Sequence, residues 1–195
     1  DQNNPSLAQT LMIVGVIGGF ITAIAITFKP NWAPALAPAY AILEGLFLGA
    51  ISKVFNDAFY PGIVVQAVGL TFGVAVAMFL LYNFRVIKAT EKFKSMIMSA
   101  MLGIAIFYLL TWILGLFNVD VSFVRDNSML SIGISLFIVA IAALNLILDF
   151  DMIEQGAERG APQFMEWYAA FGLMVTIVWL YLEVLRLLSI LRNDR

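Results

Sequence analysis

The residues able to do chemistry in this sequence are almost all carboxylates. Asp149, Asp151 and Glu154 cluster at the end of an apolar run, in LNLILDFDMIEQG, residues 144–156. Glu44 lies in the middle of another apolar run, AYAILEGLFLGA, with no cation within four residues on either side. Glu183 precedes Arg186 by one helical turn in VWLYLEVLRLLSIL, and Glu166 follows Met165 just before the last apolar run. Two carboxylates a few ångströms apart in low dielectric cannot both stay ionised, so they share a proton. The short hydrogen bond between them ties two helices together, and ionisation turns that tie into repulsion. Carboxylate oxygens are also hard ligands suited to Ca²⁺. The chain has no His and no Cys, which excludes thiol nucleophiles, disulfides, His-ligated haem and the usual zinc sites.

The elements that position these groups must be membrane helices. The 195 residues are 62% hydrophobic and 12% charged, where a soluble domain carries about 25% charged residues. The formal net charge of −2 includes no basic run, so nucleic acid is not an expected partner. Six apolar segments have the length of a bilayer crossing: Leu7–Phe28, Pro34–Phe55, Pro61–Tyr82, Ser95–Phe117, Met129–Leu148 and Trp167–Leu191. Turn chemistry separates most of them, at Lys29-Pro30-Asn31, Tyr60-Pro61-Gly62, Asp126-Asn127-Ser128 and Gly160-Ala161-Pro162. Trp32, Tyr60, Tyr82, Trp167 and Tyr168 stand near segment ends, as an interfacial belt would. Continuous apolar runs of this length do not fit barrel strands, which alternate over about ten residues. The first segment lacks the basic start of a signal peptide and is too long for one. Gly15, Gly18 and Gly19, with the GxxxG pairs Gly45/Gly49 and Gly69/Gly73, predict close helix packing within one bundle.

The fold class is therefore all-α, a single polytopic transmembrane helix bundle over residues 1–195. Its loop between the third and fourth segments carries Arg85, Lys88, Lys92 and Lys94 against Glu91 alone, which predicts a cytoplasmic loop. Arg192 and Arg195 at the tail would then lie outside, against the same rule.

Each intramembrane charge has a plainer reading beside the functional one. Glu166 fits a first helical turn, where a carboxylate favours the helix dipole. Asp151 and Glu154 fit the wet end of the fifth segment. Glu183 with Arg186 fits a structural ion pair. Glu44, with no local cation, fits either a functional site or a protonated group bonded to a backbone carbonyl.

LNLILDFDMIEQG followed by VWLYLEVLRLLSIL resembles the last two helices of the Bax inhibitor-1-like, or transmembrane Bax inhibitor motif, membrane proteins. Their sixth helix carries L-x-x-L-Y-D-x-x-x-I. Leu144 to Ile153 aligns with it without a gap, Leu148 replacing the aromatic residue and Asp149 falling on the aspartate. Their last helix carries L-Y-L-D and then a Leu-rich stretch with an Arg, here Leu180-Tyr181-Leu182-Glu183 and VLRLLSILR. LEGLFLGAI, YPGIVVQAVGLTFGV, TEKFK and GAPQFMEWYAAFGL, in that order, extend the resemblance over nearly the whole chain, closest to a bacterial branch.

The resemblance implies a seven-helix bundle with the last helix wrapped by the others. It implies a proton-sharing latch, carried over as Asp149 with Glu183, that closes a pore at its cytoplasmic side. It further implies a pH-sensitive calcium leak or proton-gated exchange in an inner membrane, and in other members modulation of a membrane protease or of cell death. Asp149 and Glu183 would also be the calcium ligands, with Glu44, Asp151, Glu154, Glu166 and Arg186 as supporting polar groups. No other cofactor is implied.

Three features depart from the pattern. Six segments stand where the family has seven, and the start at Asp1 rather than Met leads us to expect a removed N-terminal helix. Glu183 replaces an aspartate. The connection between the last two segments reads as long, so Glu183 would lie roughly 30 Å along the last helix and meet Asp149 only if that helix broke, for instance at Gly172. Asp151 and Glu44 are the alternative partners of Asp149. An intramembrane aspartyl protease is not expected, because the chain has no G-x-G-D. A leak channel and a non-transporting interaction protein remain as the two classes.

Overall fold

The computed structural model describes residues 5–117 and 128–192. Among these the chain is helical, with no strand. The helices are α1 (Pro5–Phe28), α2 (Ala33–Ala58), α3 (Ile63–Asn83), α4 (Glu91–Leu116), α5 (Met129–Glu158) and α6 (Phe164–Arg192), with one 3₁₀ turn at Pro30–Trp32. Six are long and apolar enough to cross a membrane. The expected Asp126-Asn127 turn, Asp1 and Arg195 lie outside the described residues.

Two helices differ from the expectation in a way that matters for the site. The charged stretch after Leu148 does not end α5; the helix continues to Glu158. Asp149 and Asp151 are thus mid-helix residues, because hydropathy tracks the lipid and not the backbone. α6 begins at Phe164, leaving only residues 159–163 as the connection, and runs through Gly172 unbroken. The long link and the broken last helix are both corrected. Gly160 supplies the left-handed residue of the turn, at φ 62°, a conformation glycine adopts without cost. α4 starts at Glu91 because the Thr90 side chain accepts from the Phe93 N–H as an N-cap.

The described chain forms two compact units. The first holds residues 1–64 and 152–175. Here α1 lies directly on α2: a Cβ added at Gly15 would meet Leu43 O at 2.7 Å and Phe47 N at 2.8 Å. Ile26, Ala33, Ala37, Tyr40 and Phe171 form the core, with the Tyr40 and Phe171 rings edge to face at 5.0 Å. The second unit holds residues 65–151 and 176–195. Its core gathers Ile97 and Ile104 of α4 with Ile138 and Ile141 of α5.

The glycine expectation divides. Gly15, Gly18 and Gly19 make the close approach, whereas Gly45, Gly49, Gly69 and Gly73 face open space. The aromatic belt divides too. Trp32 and Trp167 are exposed, but Tyr82 is buried. Phe20, Phe28, Ile42 and Val65 are widely exposed, as lipid-facing side chains would be. Of the α5 spanning window 50% is buried and of α6 44%, against 11–22% for the other four helices. α5 and α6 are thus the most buried of the six helices.

Candidate functional site

One stripe of α5 carries Ser131, Ser135, Asn145 and Asp149, all buried, within about 80° around the helix axis. α6 meets its lower half with Thr176. The Asn145 amide donates to Thr176 Oγ1 at 2.9 Å, and the Thr176 hydroxyl donates to Asp149. Thr176 thus relays between the two α5 residues, one turn apart, using its acceptor for one and its donor for the other. Asp149 is 8% exposed, and its Oδ2 has no hydrogen-bond partner.

A second cluster forms where α6 meets α4. The Tyr108 hydroxyl donates to Glu183 Oε1 at 2.6 Å and accepts from Arg186 Nη1 at 2.7 Å. The Trp179 indole bonds Glu183 from the preceding turn. Arg186 Nη1 stands 3.8 Å from Glu183 Oε2, an ion pair without a hydrogen bond. The local Glu183–Arg186 pair is therefore real, with Tyr108 inserted between its partners.

A third cluster binds Asp151. Lys94 Nζ lies 2.8 Å from Asp151 Oδ2 and 3.3 Å from Glu91 Oε1, and the Tyr82 hydroxyl donates to Asp151 Oδ1 at 3.4 Å. Asp151 is not a free wet end of a helix.

These placements separate the residues expected to form the latch. Asp149 bonds Thr176, Glu183 bonds Tyr108, and no hydrogen bond or ion pair joins the two carboxylates. Thr176 and Glu183 are seven positions, or about 10 Å of helix rise, apart. Among the described residues the buried side-chain atoms left without a hydrogen-bond partner are Ser135 Oγ, Asp149 Oδ2 and Glu183 Oε2, all on α5 and α6 in the second unit. Among the described residues no three acidic or other metal-ligating side chains gather into a metal-holding group.

In the first unit Glu44 is half-buried against α1, with its carboxylate near Gly19, and takes a hydrogen bond from Tyr40 one turn earlier. Glu44 does have a local partner, a phenol in place of the cation the sequence lacks. Glu154 follows Asp151 by one turn and is half-buried. Glu166 lies in the first turn of α6 and lines a cavity of about 690 Å³ with Met152, Gly156, Ala161, Met165 and Leu173.

Sequence reading missed Tyr108, Trp179, Tyr82, Asn145 and the role of Lys94. Tyr40, at i−4 from Glu44, and Trp179, at i−4 from Glu183, left a signal in the spacing. The others are brought in by packing between helices.

Six helices long and apolar enough to cross a membrane, the two most buried of which carry the buried Asn145, Asp149, Thr176 and Glu183, define an integral multi-pass membrane protein. A family model described as Bax inhibitor 1 like matches residues 2–193, and the chain belongs to that family. No curated protein and no solved structure matches it.

Proposed function

We propose that this protein is a pH-sensitive leak pathway for calcium or other cations, or an exchanger of such cations against protons, with Asp149 and Glu183 as its titrating carboxyls. Asp149 carries this reading: a carboxyl buried in a lipid-immersed helix, with one oxygen held by Thr176 and the other unpartnered. Ionisable residues inside a membrane protein cost at least a few kcal/mol and mark ion or proton paths by default. An ionised Asp149 is costly where it lies, so ionisation favours any arrangement that lets water reach it. Cation flux then rises with pH.

In the closed arrangement each carboxyl is held by its own partners, Thr176 for one and Tyr108 with Arg186 for the other. Calcium is cargo in this reading and not a resident ion. The basic α3–α4 loop faces the cytoplasm of a bacterial inner membrane.

The test is calcium flux into proteoliposomes of the purified protein across the neutral pH range. Flux that rises with pH supports the proposal, and none at any pH refutes it. The open Gly45/Gly49 and Gly69/Gly73 faces favour a second reading, an interaction protein that docks a helix of a membrane protease or another membrane protein and conducts nothing. A flux-silent protein that captures a membrane partner would support it.

A further inference from the structure

Asp149 and Asp151 are two residues apart on a helix, so they point about 200° apart, to nearly opposite sides of α5. On one side Asp149 meets Thr176 of α6. On the other, Asp151 meets Lys94 of α4 and Tyr82 of α3. Phe150, between them, packs edge to face on Phe79 of α3 at 5.4 Å and lies 6.1 Å from the Tyr82 ring. This segment of α5 is thus braced from both flanks, by one polar contact inward and one ion pair outward.

The outward contact is built to hold position. The Lys94 and Asp151 side chains are only 24% and 16% exposed, so their attraction is less screened than that of a surface pair. Lys94 lies in the first turn of α4, whose start is fixed by the Thr90 cap. Glu91, one turn back, lies 3.3 Å from the same ammonium, with its own side chain 92% exposed. The Tyr82 ring is buried, and the Arg85 guanidinium lies 5.4 Å from its centre, so the phenol is itself held on the Asp151 side.

We propose that Lys94 is a positioning residue for Asp149. Acting through Asp151, it clamps α5 against α3 and α4 so that Asp149 stays turned into the α5–α6 contact and away from water. Breaking the clamp frees α5 to rotate or tilt and wets the stripe that carries Asn145 and Asp149. This rests on the leak reading for its consequence in transport, but not for its structural content.

The chain has no cysteine, so one introduced thiol reports on one place. Ala142 is fully buried, on the same stripe of α5 as Asn145 and Asp149. Ala142→Cys in proteoliposomes is exposed to a water-soluble maleimide, and the labelling rate is read alone and with changes at the clamp.

Lys94→Met is expected to speed labelling about fivefold, the shift that loss of a part-exposed ion pair makes in a two-state equilibrium. Lys94→Arg is expected to keep the slow rate. The exchange Lys94→Asp with Asp151→Lys is expected to return to it, since the pair is restored with its ends reversed. In the same vesicles cation leak should follow labelling.

Unchanged labelling in Lys94→Met overturns the clamp, as does equally fast labelling in the exchanged pair. If Lys94→Met does not fold, the folded exchanged pair decides, slow labelling supporting the clamp and fast labelling overturning it. Absence of leak in every protein, the unaltered one included, refutes the transport reading and leaves labelling to judge the clamp.

Discussion

Thr176→Val is the sharpest single perturbation of the site. Valine keeps the volume and branching of threonine and removes only the hydroxyl, so packing between α5 and α6 is nearly unchanged. Two contacts vanish together: the 2.9 Å bond from the Asn145 amide and the bond to Asp149. A neutral interhelical hydrogen bond in a membrane protein is worth about 0.6 kcal/mol on average and at most about 1.7. A bond to a charged acceptor, as Asp149 is once ionised, is worth about 1.5–3 kcal/mol. Together these place the loss at about 2–4 kcal/mol, with Asp149 then lacking any side-chain donor. For a chain of this length each kcal/mol lowers Tm by about 2–4 °C, so a drop of about 5–15 °C is expected. Thermal unfolding of the detergent-solubilised protein, followed by retention on size-exclusion chromatography, measures it. Thr176→Ser keeps the hydroxyl and should lose far less. A Val variant as stable as the unaltered protein would falsify the relay, and a Ser variant as unstable as Val would assign the effect to packing.

Other outcomes follow from the same geometry. Asp149→Asn should remain folded and conduct at a low, pH-independent rate, because Asn stands in for the protonated acid at every pH; a full pH response in liposome flux would rule out Asp149 as the titrating group. Glu44→Gln should keep the fold, since the amide oxygen still accepts from Tyr40, and should alter flux; unchanged flux would leave Glu44 a structural residue. Gly15→Ala should destabilise the protein by about 1–3 kcal/mol in thermal unfolding, because its Cβ would strike the backbone of α2. Gly69→Ala, in open space, should be neutral or stabilising by up to about 1 kcal/mol.

The number and type of elements were legible because continuous apolar runs of bilayer length leave little choice of structure. The predicted end of the first segment at Phe28 and the start of the fifth at Met129 both coincide with helix ends. The same hydropathy signal misplaced the end of α5. Asp149 and Asp151 look like an exit into water, but Thr176 and Lys94 satisfy them inside the fold, and those partners are far away in sequence. The α4 start was hidden for a related reason: Lys92 and Lys94 lower the apolar signal, while Thr90 and Glu91 carry the capping signal. The carboxylates themselves were legible as the chemistry-bearing groups. Their grouping was not, since the Tyr108 contact with Glu183 spans 75 residues and the Tyr82 contact with Asp151 spans 69.

The short turn between α5 and α6 has a consequence for how the protein enters its membrane. The two helices that carry the buried Asn145, Asp149, Thr176 and Glu183 are consecutive, joined by residues 159–163 alone. Asn145, Asp149 and Thr176 find one another within this pair, and Glu183 meets Arg186 within α6 itself. A helix bearing Asn and Asp is costly to insert alone, and so is one bearing Glu and Arg. Inserted together as a hairpin, the two bring most of their own hydrogen-bond partners into the bilayer. Biogenesis should therefore treat α5 and α6 as one insertion unit. Tyr108 and Lys94, already resident in α4, would then complete the contacts that the hairpin cannot make for itself.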